Sequence, residues 1–133
     1  METPDVTFLD RGRVMADRSF VVDGASVATA SNRDPDHTYE EYVVWNLVVE
    51  TPERTILWDT GSHPDAGEGY WPDPLYDAFA HVDAAEHTLA GDLADAGYAL
   101  ADIDAVVMSH LHLDHAGGLE NFAGIDFPVY VHR

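Results

Sequence analysis

Ser109-His110-Leu111-His112-Leu113-Asp114-His115-Ala116-Gly117-Gly118 follows the apolar run Ala105-Val106-Val107-Met108, and its pattern is H-x-H-x-D-H. Four candidate metal ligands, His110, His112, Asp114 and His115, fall within six residues. A strand that delivers His110 and His112 two positions apart, then turns so that Asp114 and His115 face the same way, offers imidazole and carboxylate to one or two divalent ions. That is the donor set of a hydrolytic metal site. A His-rich surface turn would need neither a buried strand before it nor two glycines after it.

Working outward, the 133 residues suffice for one domain with a real core, and residues 1–133 read as a single domain. There is no Cys. Disulfides, thiolate zinc sites and a Cys nucleophile are therefore excluded, and any metal ligands must be His or carboxylate. All 6 basic residues are Arg, against 25 acidic ones, for a formal net charge of -19. Charge of that sign argues against nucleic acid and anionic membranes as partners. It also strains a compact fold in dilute buffer, whereas at molar salt the Debye length falls to about 3 Å and the repulsion is screened. A salt-loving host is the expectation. Charges run through Met1 to Arg13, and no stretch approaches the ~20 apolar residues of a membrane span, so a soluble cytoplasmic protein is expected.

Val6–Leu9 and Ser19–Val22 read as short strands, separated by the turn-like Asp10-Arg11-Gly12, closed by Asp23-Gly24 and able to pair as a hairpin. Residues 31–38 form a polar loop. Tyr42–Glu50 and Arg54–Asp59 are β-rich runs joined by Thr51-Pro52-Glu53, a second hairpin. Their apolar runs Val43-Val44-Trp45 and Ile56-Leu57-Trp58 predict a sheet covered on both faces. Gly61–His81, rich in Gly, Pro, Asp and aromatics, reads as a long loop that covers substrate or packs on the surface. Asp83, with Glu86 three residues on, predicts a capped helix through Leu89 and Leu93 that stops at Gly97. A strand Ile103–Ser109, a short helix near Gly118–Phe122 and a last strand Pro128–His132 complete a layered α/β fold with a mixed sheet.

Asp59-Thr60-Gly61 ends the run Ile56-Leu57-Trp58. An upstream Asp-Thr-Gly and H-x-H-x-D-H after a buried strand together resemble the metallo-β-lactamase superfamily. Leu57 to Ala66, then Gly69-Tyr70-Trp71-Pro72, and His110 to Gly117 are similar to its N-acyl-homoserine lactonase branch. The resemblance implies an αββα sandwich and a two-zinc site. His110 and His112 would bind the first metal, Asp114 and His115 the second, with Asp114 also a catalytic residue. Asp59 would brace the ligand loop; its plainer role is an Asx turn ending a strand. Tyr70 and Trp71 would line a pocket for an acyl chain or pack the loop onto the core.

Zinc lowers the pKa of a bound water to about 7, so the implied reaction is attack of zinc-activated water on a small-molecule cyclic ester, an N-acyl-homoserine lactone. Thioester hydrolysis, as in glyoxalase II-like relatives, is the alternative, because fold and metal do not select the electrophile. A catalytically inactive metal-binding remnant is another. Members of the family are longer, and their second half implies a further His, a bridging Asp and a last His. None is assignable here, since His132 lies too close to the signature. With Arg133 directly after a hydrophobic strand, a domain truncated to its N-terminal half is expected. His and Asp ligands suit zinc, manganese or iron alike. Oligomeric state leaves no trace in the sequence. His37 and His87 read as solvated, while His63 and His81 flank the aromatic segment near where substrate would lie.

Overall fold

Residues 3–132 are described by the computed structural model. The first strand is far longer than the pattern around it predicts: Asp5–Asp17 runs as one strand, β1. Arg11-Gly12 is no turn. Between the pairs Asp10↔Trp45 and Arg13↔Val43, two residues of β1 oppose one of its partner, which makes a β-bulge with Gly12 at φ 91°. The bulge keeps Leu9, Arg11, Val14 and Ala16 all facing inward. Ser19–Val22 does not return as a strand either: Arg18–Val21 is a short helix, α1, whose cap Asp17 accepts the Ser19 N–H at 2.8 Å.

The partner of β1 is β2, Tyr39–Glu50, which pairs in turn with β3, Thr55–Trp58, through the expected tight turn in which the Thr51 N–H donates to the Arg54 carbonyl at 2.9 Å. Gly61–His81 is not one long loop. It holds a π-helical turn at Ala66–Tyr70, helix α2 at Asp73–Ala78 with proline in its first turn, and strand β4, Phe79–His81, on the outer edge of β1. The helix predicted from Asp83 also divides. Ala84–Glu86 is a 3-10 turn, and helix α3, Leu89–Asp95, starts at Thr88, whose hydroxyl accepts the Gly91 N–H at 3.1 Å. Asp83 does not cap; its carboxylate accepts the Arg13 N–H of β1 at 2.7 Å. Gly97, at φ 91°, ends that segment as expected.

Strand β5, Ala105–Met108, lies parallel to β3, and β6, Val129–Val131, parallel to β5. The six strands form one mixed sheet in the order β4-β1-β2-β3-β5-β6. One face is covered. Leu9, Val48, Leu57 and Val106 pack under Leu89, Leu93 and Phe122, each such buried side chain contributing roughly 1.5–3 kcal/mol. Within this chain the other face is open: Leu57 is 0% exposed and its neighbour Trp58 42%. Phe8 and Trp45 sit edge-to-face on that second side, at 5.8 Å, both open to solvent. No helix among the described residues is long and apolar enough to cross a membrane.

Candidate metal centre

The apolar strand β5 ends at Met108, and the chain turns at Ser109 into helix α4, Leu113–Ala116, with His112 at its cap position. This strand-to-helix corner gathers the signature. His110 lies 4.5 Å ring to ring from His112 and 4.1 Å from His115, and His115 Nε2 is 3.2 Å from Asp114 Oδ2. All four side chains line one cavity of about 580 Å³. Among the described residues, no three His or carboxylate side chains already stand as a finished ligand set.

Asp-Thr-Gly explains how the corner is held. Asp59 has φ 58°, and that left-handed conformation lets one carboxylate serve three donors. Asp59 Oδ1 accepts the Ser109 N–H at 2.8 Å, and Oδ2 accepts the Ser109 hydroxyl at 2.6 Å and lies 2.9 Å from His115 Nδ1. The His115 ring is thereby turned so that Nε2 faces Asp114 and the other two imidazoles. Thr60, the middle residue of that motif, to which the sequence assigned no role, grips the backbone of α4. Its N–H and hydroxyl both donate to the His115 carbonyl at 2.8 Å, and its Oγ1 accepts the Gly118 N–H at 3.1 Å. The paired glycines permit that contact: a Cβ on Gly117 would lie 2.2 Å from the His63 backbone nitrogen, and one on Gly118 2.5 Å from the Thr60 carbonyl oxygen.

Charges in the cluster are strongly coupled. Burial alone would push the His115 imidazole down, but hydrogen bonds and charge from Asp114 and Asp59 outweigh it and hold the ring up at about 9. Burial would raise Asp114, yet contact with His115 leaves it below its ordinary value; Asp59 is lowered in the same way by His115 and Ser109. Burial, then repulsion from His115 and His112, lowers His110. Two partly buried carboxylates facing three imidazoles favour a cation, and imidazole with carboxylate is a donor set that suits zinc, so the residues fit such an ion.

Trp71 lines the cavity, 1% exposed, with Phe79 and Tyr76 against its ring. Tyr70 does not: it is 49% exposed and stacked on His63 at 3.8 Å. The other apolar walls, Phe20 and Val21 of α1 with Leu75 of α2 and Phe79 of β4, had no mark in the sequence. The pairing of β4 with β1 brings Phe79 there, beside Phe20 of the helix that follows β1.

A layered α/β fold with an Asp-Thr-Gly corner bracing H-x-H-x-D-H defines a class of protein, and the matching family model is that of the metallo-beta-lactamase superfamily, over residues 39–133. The chain belongs to that family, whose architecture is that of metal-dependent hydrolases. Among its relatives, it is 31% identical over 116 residues to N-acyl homoserine lactonase AiiB of Agrobacterium fabrum, covering 86% of this chain and 42% of that protein. A solved N-acyl homoserine lactone hydrolase, with the product N-hexanoyl-L-homoserine at its catalytic metal centre, superposes with a TM-score of 0.69 at 30% identity, over 93% of this chain and 46% of that one. AidC, a dizinc quorum-quenching lactonase, superposes at 0.55 with 25% identity, over 86% of this chain and 35% of AidC. The chain spans about half the length of the curated relatives it matches.

Proposed function

We propose that this chain carries the first-metal and second-metal ligands of a zinc-dependent hydrolase that opens the ring of an N-acyl-homoserine lactone or a closely similar cyclic ester. The observation that supports this most is a single cavity, with His110, His112, Asp114 and His115 on one side and Phe20, Val21, Trp71, Leu75 and Phe79 on the other. A polar reacting group and an apolar tail on one small molecule match those two walls. His110 and His112 are the ligands of one ion, Asp114 and His115 of the other. Zinc held there supplies a Lewis acid and an activated water for ester hydrolysis.

The remaining work falls to the chain's own groups. Asp59 orients His115 and ties Ser109 to the corner, so that the imidazoles keep their spacing through a reaction cycle. Trp71, walled by Phe79 and Tyr76, gives a rigid apolar surface on which an acyl chain lies while the lactone carbonyl meets the polar wall. The lactone is favoured over a thioester by the relatives' substrates, since both kinds of molecule join a reacting carbonyl to an acyl chain.

The deciding assay compares ring opening of N-hexanoyl-L-homoserine lactone with hydrolysis of a glutathione thioester, in zinc and molar salt because of the charge of -19. Lactone turnover that disappears in a His110→Ala, His112→Ala variant is expected. Thioester turnover alone, or lactone turnover no different in the variant, contradicts the proposal.

A further inference from the structure

We propose that a further divalent transition-metal ion, separate from the two of the 110–115 centre, is held by His81 and His87 through their Nε2 atoms and by the Asp83 carboxylate. The site lies where β4 and the turn before α3 close over the bulge of β1. It shares no residue with the signature. Its ion is structural, pinning β4 and the 62–63 corner to β1.

His81 is 2% exposed. Its Nδ1 is 2.5 Å from the Ser62 hydroxyl, while Nε2 is buried with no hydrogen-bond partner and faces Asp83 Oδ1 at 3.3 Å. His87 repeats the arrangement: Nδ1 lies 3.2 Å from Asp92 Oδ2, and Nε2 faces Asp83 Oδ2 at 3.8 Å. Both rings are thus anchored at Nδ1 by an oxygen and present Nε2 to one carboxylate, the outer-shell pattern of metal-bound histidine. Because the Asp92 carboxylate only accepts, the His87 Nδ1 carries a proton, which makes Nε2 the nitrogen through which the ring can ligate. Asp92 is itself fixed by the buried Arg11 guanidinium.

In the tautomer whose Nδ1–H donates to the Ser62 hydroxyl oxygen, His81 Nε2 presents a lone pair 3.3 Å from Asp83 Oδ1, a pair of donors that one cation bridges. Burial lowers the His81 imidazole from its ordinary value, against the pull of Asp83, and keeps the ring in the neutral form that ligates. Tetrahedral zinc with bonds of 2.0–2.2 Å sets ligand atoms about 3.3–3.5 Å apart, which the first spacing meets. The second needs a few tenths of an ångström from Asp83 and His87, both partly open to solvent, and water completes the shell. Convergence of the three side chains depends on Gly12. A Cβ there would lie 2.4 Å from Asp83 Oδ1, 2.6 Å from His81 Nε2 and 2.8 Å from His87 Cδ2.

Cobalt(II) loading of the His110→Ala, His112→Ala variant tests this apart from the signature site. After dialysis at molar salt, about one cobalt per chain is expected to remain, with its visible absorption, and to be lost when His87→Ala or Asp83→Asn is added. No retained cobalt in the starting variant overturns the proposal, as does cobalt retained unchanged after both additions. Should either addition unfold the chain, imidazole 15N spectra of the folded starting variant decide instead. Zinc must then shift Nε2 of both His81 and His87, and unmoved signals overturn the site.

Discussion

The two histidine clusters of this molecule are built in opposite ways. Residues 110–115 form a local cluster, delivered by one strand end and one helical turn and fastened from outside by Asp59 and Thr60. The 81–87 cluster is as short in sequence, but it is anchored through tertiary contacts. It exists only because β4 pairs with β1, the bulge exposes Gly12, and Arg11 reaches Asp92. A local cluster tolerates loss of its ligands, since the corner is held by backbone and Asp59; a tertiary one is woven into the core. Substitutions in the two should therefore separate binding from stability.

The greatest effect is expected at the joint between the clusters. Gly117→Val sets a side chain against the His63 backbone at 2.2 Å, where nothing flexible can yield, and should cost about 4 kcal/mol or more in a urea melt. An unchanged midpoint would show that α4 is not docked on the 60–63 corner. Next comes Arg11→Met, which leaves Asp92 without its guanidinium partner and should cost about 3 kcal/mol, with the signature's metal content unaltered. Loss of signature metal without loss of stability would reverse the assignment of roles.

Asp59→Asn should leave the fold intact and weaken zinc at the signature roughly 10–100-fold, measured by competition with a chromophoric chelator. Equal affinity would make Asp59 only a strand-ending turn. The smallest effect belongs to the open face: Phe8→Ser or Trp45→Ser should change stability by no more than about 0.5 kcal/mol and leave both clusters untouched. A loss like that of a core residue would mean the face is covered in solution.

The same contrast governs what was legible in the sequence. The signature, the Asp-Thr-Gly end of β3, the second hairpin and the mixed sheet could be read because each is a contiguous pattern. Hydrogen bonds place Asp59 where the bracing role needs it. Arg11-Gly12 misled, because a bulge and a turn use the same residues and only the partner strand tells them apart. Asp83 misled for a related reason: its carboxylate found a backbone N–H on β1 in place of its own helix. Tyr70 and Trp71 are adjacent, yet the π-helical turn sends one onto His63 and the other into the cavity. Periodicity carries no information about such a turn. His87 reads as solvated and His81 only as flanking the aromatic segment, because what fixes their rings, Ser62 for His81 and Arg11 through Asp92 for His87, is brought in by strand pairing.

Zinc stoichiometry of the 133-residue chain at molar salt, beside the His110→Ala, His112→Ala variant, tests the central claim most directly. The wild-type chain should hold at least about one more zinc per chain than the variant, both remaining folded by circular dichroism. Equal zinc in the two would mean that the H-x-H-x-D-H corner does not bind metal in this chain.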